Sequence, residues 1–389
     1  MARPPLRQLT GLRFWAAFGV ALCHYADALG IPAALRFATN FFGSFVALFF
    51  VLSGYVLTYN YADKLADEGG LGSYFLARVA RVVPVYWLTL IATLMLYAAC
   101  GFGLSLGGPA DYGNKAGSFV LNLLALQAWI PDVSIQQYWN APGWSISAEM
   151  FFYLCFPLLL RWRWLNGSTR SIVALWCCMA TLLLLYYSAC TWLLAGDPAR
   201  LHVWLLYAVR CPLFGLFCFV LGIHLARSDQ ASSPGPRVKI SGTSLFGWGI
   251  AILLASFIVD VYKRTPHAFV DPAYVEISAT YLIYTPFYYF IISYLREPDG
   301  ALARALSLPG MVVLGEASYA LYLLHWSSLS ILSSGPAGLR VSPAVAFLTL
   351  TGVVIASVIV YLVFENPLRV RIRRLRRLQQ GAERGAAAP

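Results

Sequence analysis

Long apolar stretches recur along the entire chain, and they restrict its fold more than any other feature. A helix that crosses a bilayer needs about 20 mostly apolar residues. Ten segments meet this requirement, near residues 12–30, 41–61, 83–101, 144–160, 171–194, 202–225, 244–262, 274–295, 309–333 and 342–364. The sequence therefore predicts an all-α fold, a polytopic membrane helical bundle of about ten transmembrane helices.

The composition and one shorter stretch refine this prediction. The chain is 59% hydrophobic and 12% charged, whereas soluble domains are about 45–50% apolar and about 25% charged. This excludes a disordered chain, a nucleic-acid-binding globule and most soluble enzymes. An eleventh apolar stretch at 118–130 has only 13 residues and contains Asn122 and Gln127. We predict that it is short, re-entrant or interfacial and does not cross.

The distribution of positive charge predicts the orientation. With the N-terminus inside and ten crossings, 21 of the 28 Lys and Arg residues fall on the inner side, as the positive-inside rule favours. We therefore expect both termini to be cytoplasmic, in a multi-pass protein of the cell inner (plasma) membrane. The membrane domain would cover residues 1–368, and 369–389 would form a basic cytoplasmic tail on anionic membrane lipids.

Ionisable residues inside the predicted helices are candidates for function, because burying such groups in a membrane is costly. They are His24, Asp27, Glu149, Arg210, Glu316 and His325. His24 follows Arg13 by eleven residues, so both lie on one helix face, about 16 Å apart along the axis. A neutral His24 could accept a proton from a hydroxyl. It could equally be satisfied by hydrogen bonds between helices. Asp27 could orient His24, but we favour a place at the outer boundary.

Two arginines open the third predicted helix in an R-x-x-R-x-x-P pattern. Arg78 and Arg81 are three residues apart and therefore share a helix face. Guanidinium groups form bidentate hydrogen bonds with phosphate oxygens, so a cytosolic ligand with several phosphates could dock here. The alternative is a positive-inside flank that sets only the orientation.

Polar and aromatic residues also cluster in the fourth and ninth predicted helices. Glu149 lies one to two turns inside its helix, among Tyr138, Trp139, Trp144, Phe151, Phe152 and Tyr153. These aromatic residues either anchor an interface or form a surface that faces sugars. In the ninth helix Ser318, Tyr319, Tyr322 and His325 lie near one stripe. Helix packing alone could explain that stripe. Together, these residues predict a polar cavity through the bundle.

Six motifs in order resemble the integral-membrane acyltransferase 3 family, which O-acylates bacterial surface carbohydrates and some small molecules. They are LTGLRFWAAFGVALCH (9–24), FFVLSGYVL (49–57), the pair Arg78 and Arg81, GWSISAEMFFYL (143–154), SYALYLLH (318–325) and FENPLR (364–369). The chain departs from the family at Thr10, where many members have aspartate. It also shows no hydrolase-like domain after the bundle, so we expect that some acceptors need a partner protein for transfer outside the membrane.

The resemblance implies transfer of an acyl group, most often acetyl, from cytosolic acyl-CoA to a hydroxyl of a surface polysaccharide or its precursor. It implies His24 and Glu149 as catalytic residues. It assigns acyl-CoA binding to Arg13, Arg78 and Arg81, and substrate-binding or site-organising roles to Ser53, Tyr319, Tyr322 and His325. His24 would act as a general base or carry the acyl group itself. Acetyl-CoA is then a co-substrate, with no bound cofactor, and no metal site is expected.

Two alternatives stay open at this point. The acceptor could be a small molecule such as a macrolide. The chain could also be a proton-coupled transporter, since buried His, Glu and Arg residues suit that function too. Many transporters contain inverted repeats, and this sequence shows none.

Overall fold

The structure is a computed structural model that describes residues 4–66, 70–99, 112–162, 164–165, 167–230, 241–265, 270–333, 341–372 and 374. These residues are largely helical and include no β-strand, which confirms the all-α class. Residues 375–389 of the predicted tail lie outside the described residues.

Each predicted segment contains helix, but the helix Gly70–Ala99 begins well before residue 83 and the predicted helix at 202–225 is broken at Cys211. In chain order the helices are α1 (Arg7–Tyr25), α2 (Arg36–Gly43), α3 (Phe45–Tyr61), α4 (Gly70–Ala99), α5 (Tyr112–Leu123), α6 (Val133–Gln137), α7 (Gly143–Arg161), α8 (Thr169–Leu193), α9 (Pro198–Arg210), α10 (Pro212–Gln230), α11 (Gly242–Arg264), α12 (Pro272–Ser278), α13 (Thr285–Leu295), α14 (Ala301–Leu306), α15 (Pro309–Ser333) and α16 (Pro343–Val360). A π-helical turn, Ala279–Tyr284, joins α12 to α13, and another, Tyr361–Glu365, extends α16.

Seven helical segments of the described chain are long and apolar enough to cross a membrane. They are Ala33–Tyr61, Gly70–Ala99, Gly143–Arg161, Thr169–Leu193, Pro198–Asp229, Gly242–Arg264 and Pro343–Ile372. The other three predicted crossings are helical as α1, α12 with α13, and α15. These three carry many of the polar side chains that line the cavities described below. The number of ten crossings and the cytoplasmic termini stay predictions.

The stretch at 118–130 forms a short helix and a buried turn. Helix α5 ends at Leu123, and Ala125 adopts a positive φ of 54°. The buried Gln127 side chain donates to the Gly143 carbonyl at 2.7 Å and to the Tyr86 hydroxyl at 3.0 Å. This segment therefore fixes the start of α7, the helix that carries Glu149.

Two close helix crossings set the centre of the bundle. At Gly54 of α3, a Cβ atom would lie 2.0 Å from the Phe219 carbonyl oxygen of α10. At Gly315 of α15, a Cβ atom would lie 1.9 Å from the Thr10 carbonyl oxygen of α1. Only glycine allows backbones to approach this closely. The crossings place the functional faces of α1, α3 and α15 next to one another.

Candidate active site

A small cavity, here called the arginine chamber, lies among α1, α3, α4, α7 and α15. Its volume is about 80 Å³. The polar residues that line it are Arg13, Ser53, Arg78, Arg81, Ser145, Glu149, Tyr153, Ser318, Tyr319 and Tyr322. Seven of the nine predicted site residues are therefore together in one cavity, contributed by five separate helices.

The arginine chamber carries more positive than negative charge. Arg13 and Arg81 form no hydrogen bond or ion pair with any described residue. Arg78 donates to the Tyr61 hydroxyl at 3.1 Å, and its guanidinium lies 5.1 Å from the centre of that ring. Among the described residues that line the chamber, the one carboxylate is Glu149, which accepts a hydrogen bond from Ser53 at 2.9 Å. Three guanidinium groups thus face one carboxylate, which suits an anionic ligand.

A second and larger cavity, the histidine chamber, lies among α1, α2, α3, α9, α11 and α12. Its volume is about 300 Å³. The polar residues that line it are His24, Asn40, Ser44, Gln137, Arg210, Ser256, Asp260, Lys263, Glu276, Thr280, Tyr281, Tyr284 and Tyr322. Val46, Phe50 and Tyr322 line both chambers. The two cavities are therefore neighbours with a common wall.

His24 and His325 form a hydrogen-bonded pair beside this wall, where the ring centre of His325 lies 5.9 Å from that of Tyr322. The Nδ1 atom of His24 lies 2.8 Å from Nε2 of His325, and the ring planes differ by only 8°. His325 is fully buried, whereas His24 is half-buried and lines the histidine chamber. The Nε2 atom of His24 has no hydrogen bond to any described residue. When His24 Nδ1 donates to His325, Nε2 of His24 is an unprotonated acceptor that can take a proton from a ligand.

Two tyrosines of α15 hold the wall in place through their hydroxyl groups. The Tyr322 hydroxyl lies 2.9 Å from the Ser145 hydroxyl and donates to the Pro142 carbonyl at 3.3 Å. The Tyr319 hydroxyl donates to the Val82 carbonyl at 3.0 Å. Both hydroxyls are therefore engaged by the protein, and the predicted site-organising role of the two tyrosines stays a prediction.

The structure separates residues that the sequence places on one face. Arg13 lines the arginine chamber and His24 lines the histidine chamber, although both belong to α1. Asp27 forms an ion pair with Arg36, and its side chain is 76% exposed. It forms no hydrogen bond with His24, and its place at the outer boundary stays a prediction. The side chain that bonds the His24 imidazole is His325.

Glu316, which the sequence left without a role, belongs to an ion-pair cluster next to the arginine chamber. Arg369 of the FENPLR motif bonds Glu316 at 3.1 Å and Glu365 at 3.4 Å. Glu365 is only 2% exposed. Both carboxylates are also close enough to Arg81 to act on it electrostatically. Sequence reasoning missed Arg369 because a positive residue at the end of a membrane helix looks like an ordinary cytoplasmic flank.

Comparison with known proteins agrees with this architecture. The acyltransferase 3 domain family matches residues 6–363. The acyltransferase MdmB of Streptomyces mycarofaciens is 29% identical over 93% of this chain and 91% of its own length. The O-acetyltransferase OatA of Staphylococcus aureus (strain NCTC 8325) is 23% identical, over 93% of this chain and 57% of its own length.

A putative O-acetyltransferase of Staphylococcus aureus (strain COL) is also 23% identical, with the same coverage. The match to these staphylococcal relatives therefore spans little more than half of their length. No solved structure matches the chain. Since the family match covers nearly all of the helical bundle and both chambers, the chain belongs to the acyltransferase 3 family.

Proposed function

We propose that this membrane acyltransferase moves an acyl group, typically acetyl, from acyl-CoA to a hydroxyl group of a carbohydrate acceptor. The observation that carries the proposal is the pair of chambers with a common wall. One chamber holds three guanidinium groups and one carboxylate, and the other holds a histidine whose Nε2 atom has no hydrogen-bond partner among the described residues. A donor with phosphates and an acceptor with a hydroxyl would thus reach the wall from two sides.

The arginine chamber suits the donor. At about 80 Å³ it is well below the roughly 300–1,000 Å³ of typical ligand pockets. It therefore fits the narrow thioester arm of acyl-CoA, while the nucleotide stays at its mouth. Arg13, Arg78 and Arg81 would attract the anionic groups through charge-assisted hydrogen bonds. Arg13, Arg78 and Arg81 lie in the first halves of α1 and α4, nearest the helix ends that the charge distribution predicts to be cytoplasmic, where acyl-CoA would be available.

The histidine pair suits proton transfer to and from the acceptor. His24 Nε2 would remove the proton of the acceptor hydroxyl as its oxygen attacks the thioester carbonyl. His325 would accept the Nδ1–H hydrogen bond of His24 and so keep the reactive tautomer in place. When the tetrahedral intermediate collapses, the C–S bond breaks and the CoA thiolate takes the proton from His24. A new ester and free CoA are the products.

Loss of the arginine pair tests the donor site. We expect Arg78→Ala/Arg81→Ala to weaken acetyl-CoA binding by tenfold or more, because each charge-assisted hydrogen bond contributes about 1.5–3 kcal/mol. Binding would be measured on purified protein in detergent by isothermal titration calorimetry. The matched control is Arg161→Ala/Arg170→Ala, which removes two exposed arginines outside both chambers. Equal affinity in wild type and in the chamber variant would contradict the donor site. Absence of binding to wild type would contradict acyl-CoA as the donor and favour transport.

The Arg369 cluster gives a second test of the donor side. In Arg369→Gln, Glu316 and Glu365 lose their cation and can attract Arg81 away from the ligand. We expect acetyl-CoA binding to weaken by about threefold to tenfold, in the same calorimetric measurement. Adding Glu316→Gln to this variant should restore most of the affinity. A structural defect would not be repaired in this way, so failure of the rescue would count against a positioning role for Arg369.

A further inference from the structure

Arg210 occupies an unusual position, at a break within an apolar segment of the bundle. Helix α9 ends at Arg210, Cys211 is extended with ψ of 126°, and Pro212 starts α10. Proline lacks an N–H donor and disfavours a helical conformation in the residue before it. The break places Arg210 in the lining of the histidine chamber.

The Arg210 guanidinium has few partners. The Gln137 amide oxygen faces the guanidinium when the amide is turned to satisfy its hydrogen bonds. In this orientation the Nε and Nη2 atoms of Arg210 donate to the Gln137 oxygen at 3.2 and 2.8 Å. The Nη1 atom is buried and has no hydrogen-bond partner among the described residues. Arg210 also forms no ion pair with any described residue.

The carboxylates that line the same chamber are already paired with other groups. Glu276 bonds the ammonium group of Lys263 at 2.5 Å. Asp260 bonds Arg264 at 2.9 Å and accepts from Asn40 at 3.0 Å. Glu276 still acts electrostatically on Arg210, but no carboxylate of the described residues forms an ion pair with its guanidinium in the cavity that holds His24. A buried charge of this kind is costly unless a ligand compensates it.

We propose that Arg210 and Gln137 form an acceptor subsite for an anionic oxygen group, a carboxylate or a phosphate, on the sugar that His24 deprotonates. This inference rests on the proposed function and names the class of acceptor. The guanidinium would bind the anionic group while the sugar hydroxyl reaches Nε2 of His24. Neutral and cationic acceptors would bind more weakly, because they leave the Arg210 charge uncompensated.

The test compares sugars that share one ring and differ in charge. Binding of glucuronate, glucose 6-phosphate, glucose and glucosamine would be measured by saturation-transfer-difference NMR, on full-length protein in a detergent without a sugar head group. We expect the wild type to bind at least one anionic sugar about tenfold more tightly than glucose. The comparison of glucuronate with glucose 6-phosphate shows whether the subsite binds a carboxylate or a phosphate. Arg210→Gln should abolish this preference.

The control is Arg200→Gln, which removes an exposed arginine from the same helix, outside both chambers. It should keep the preference for anionic sugars. Three outcomes would overturn the subsite. The wild type could bind glucose and both anionic sugars equally, or it could bind no sugar at all. The preference for anionic sugars could also survive in Arg210→Gln. Acetyl-CoA binding by Arg210→Gln should equal that of the wild type. Loss of acetyl-CoA binding in the wild type would instead contradict the proposed donor, so the two failures are distinguishable.

Discussion

Replacing His24 with alanine is expected to lower the rate of acyl transfer by about 10²–10⁴-fold, the usual contribution of a general acid–base group. The variant loses the Nε2 atom that would take the hydroxyl proton at the wall between the chambers. It should still bind acetyl-CoA, because the arginine chamber is intact. Release of CoA from acetyl-CoA, measured with and without a sugar acceptor, gives the rate.

His202→Ala is the matched control for this prediction. His202 lies on α9 outside both chambers and bonds Asp271 at 3.1 Å. It should retain full activity. Near-normal turnover in His24→Ala would refute His24 as the base. If the wild type instead accumulates a covalent acetyl label that His24→Ala lacks, His24 carries the acyl group itself.

Substitutions of His325 test the same mechanism, because the His325 side chain would act on the acceptor only through His24. In His325→Gln an amide oxygen can still accept the Nδ1–H bond of His24, whereas His325→Leu has no acceptor. We expect activity to fall in the order wild type, His325→Gln, His325→Leu, at unchanged acetyl-CoA affinity. A purely structural role would reduce thermal stability in step with activity, so both are measured on the same preparations.

The second large effect is expected from Gly315→Ala, a change of one methyl group. The added Cβ would lie 1.9 Å from the Thr10 carbonyl oxygen and 2.5 Å from its carbon. Backbone atoms cannot rotate away as a side chain can, so α1 and α15 must separate. Overpacking of this kind costs about 1–3 kcal/mol, occasionally more. We expect a marked fall in the thermal midpoint and in the yield of monodisperse protein, measured by differential scanning fluorimetry and size-exclusion chromatography.

Gly352→Ala is the control for Gly315→Ala. Gly352 lies inside α16, and a Cβ atom there meets nothing within 4 Å. Because alanine is a better helix former than glycine by about 1 kcal/mol, this variant should be as stable as the wild type or slightly more so. Equal stability of the two alanine variants would show that the α1–α15 crossing relaxes freely. In that case the close approach would not fix the His24–His325 pair.

The sequence by itself determined the helices and most of the candidate residues. Helix length and apolarity are local properties, so hydropathy predicted the all-α class and the positions of the long helices. The cost of polar groups in a membrane is also local, and it singled out His24, Glu149 and His325 before their neighbours were known. The segment at 118–130 was predicted correctly as short, since α5 ends at Leu123, and its failure to cross stays a prediction.

Only the tertiary structure decided which of these residues act together. His24 and His325 are 301 positions apart, and their hydrogen bond exists because α1 and α15 cross at glycine. Helical periodicity put Arg13 and His24 on one face, but it could not reveal the wall that Tyr322 of α15 builds between them. The tertiary structure also decides which arginines form ion pairs, because that depends on which carboxylates pack beside each guanidinium. Arg369 forms ion pairs, whereas Arg210 forms none with the described residues, and nothing local in the sequence distinguishes them.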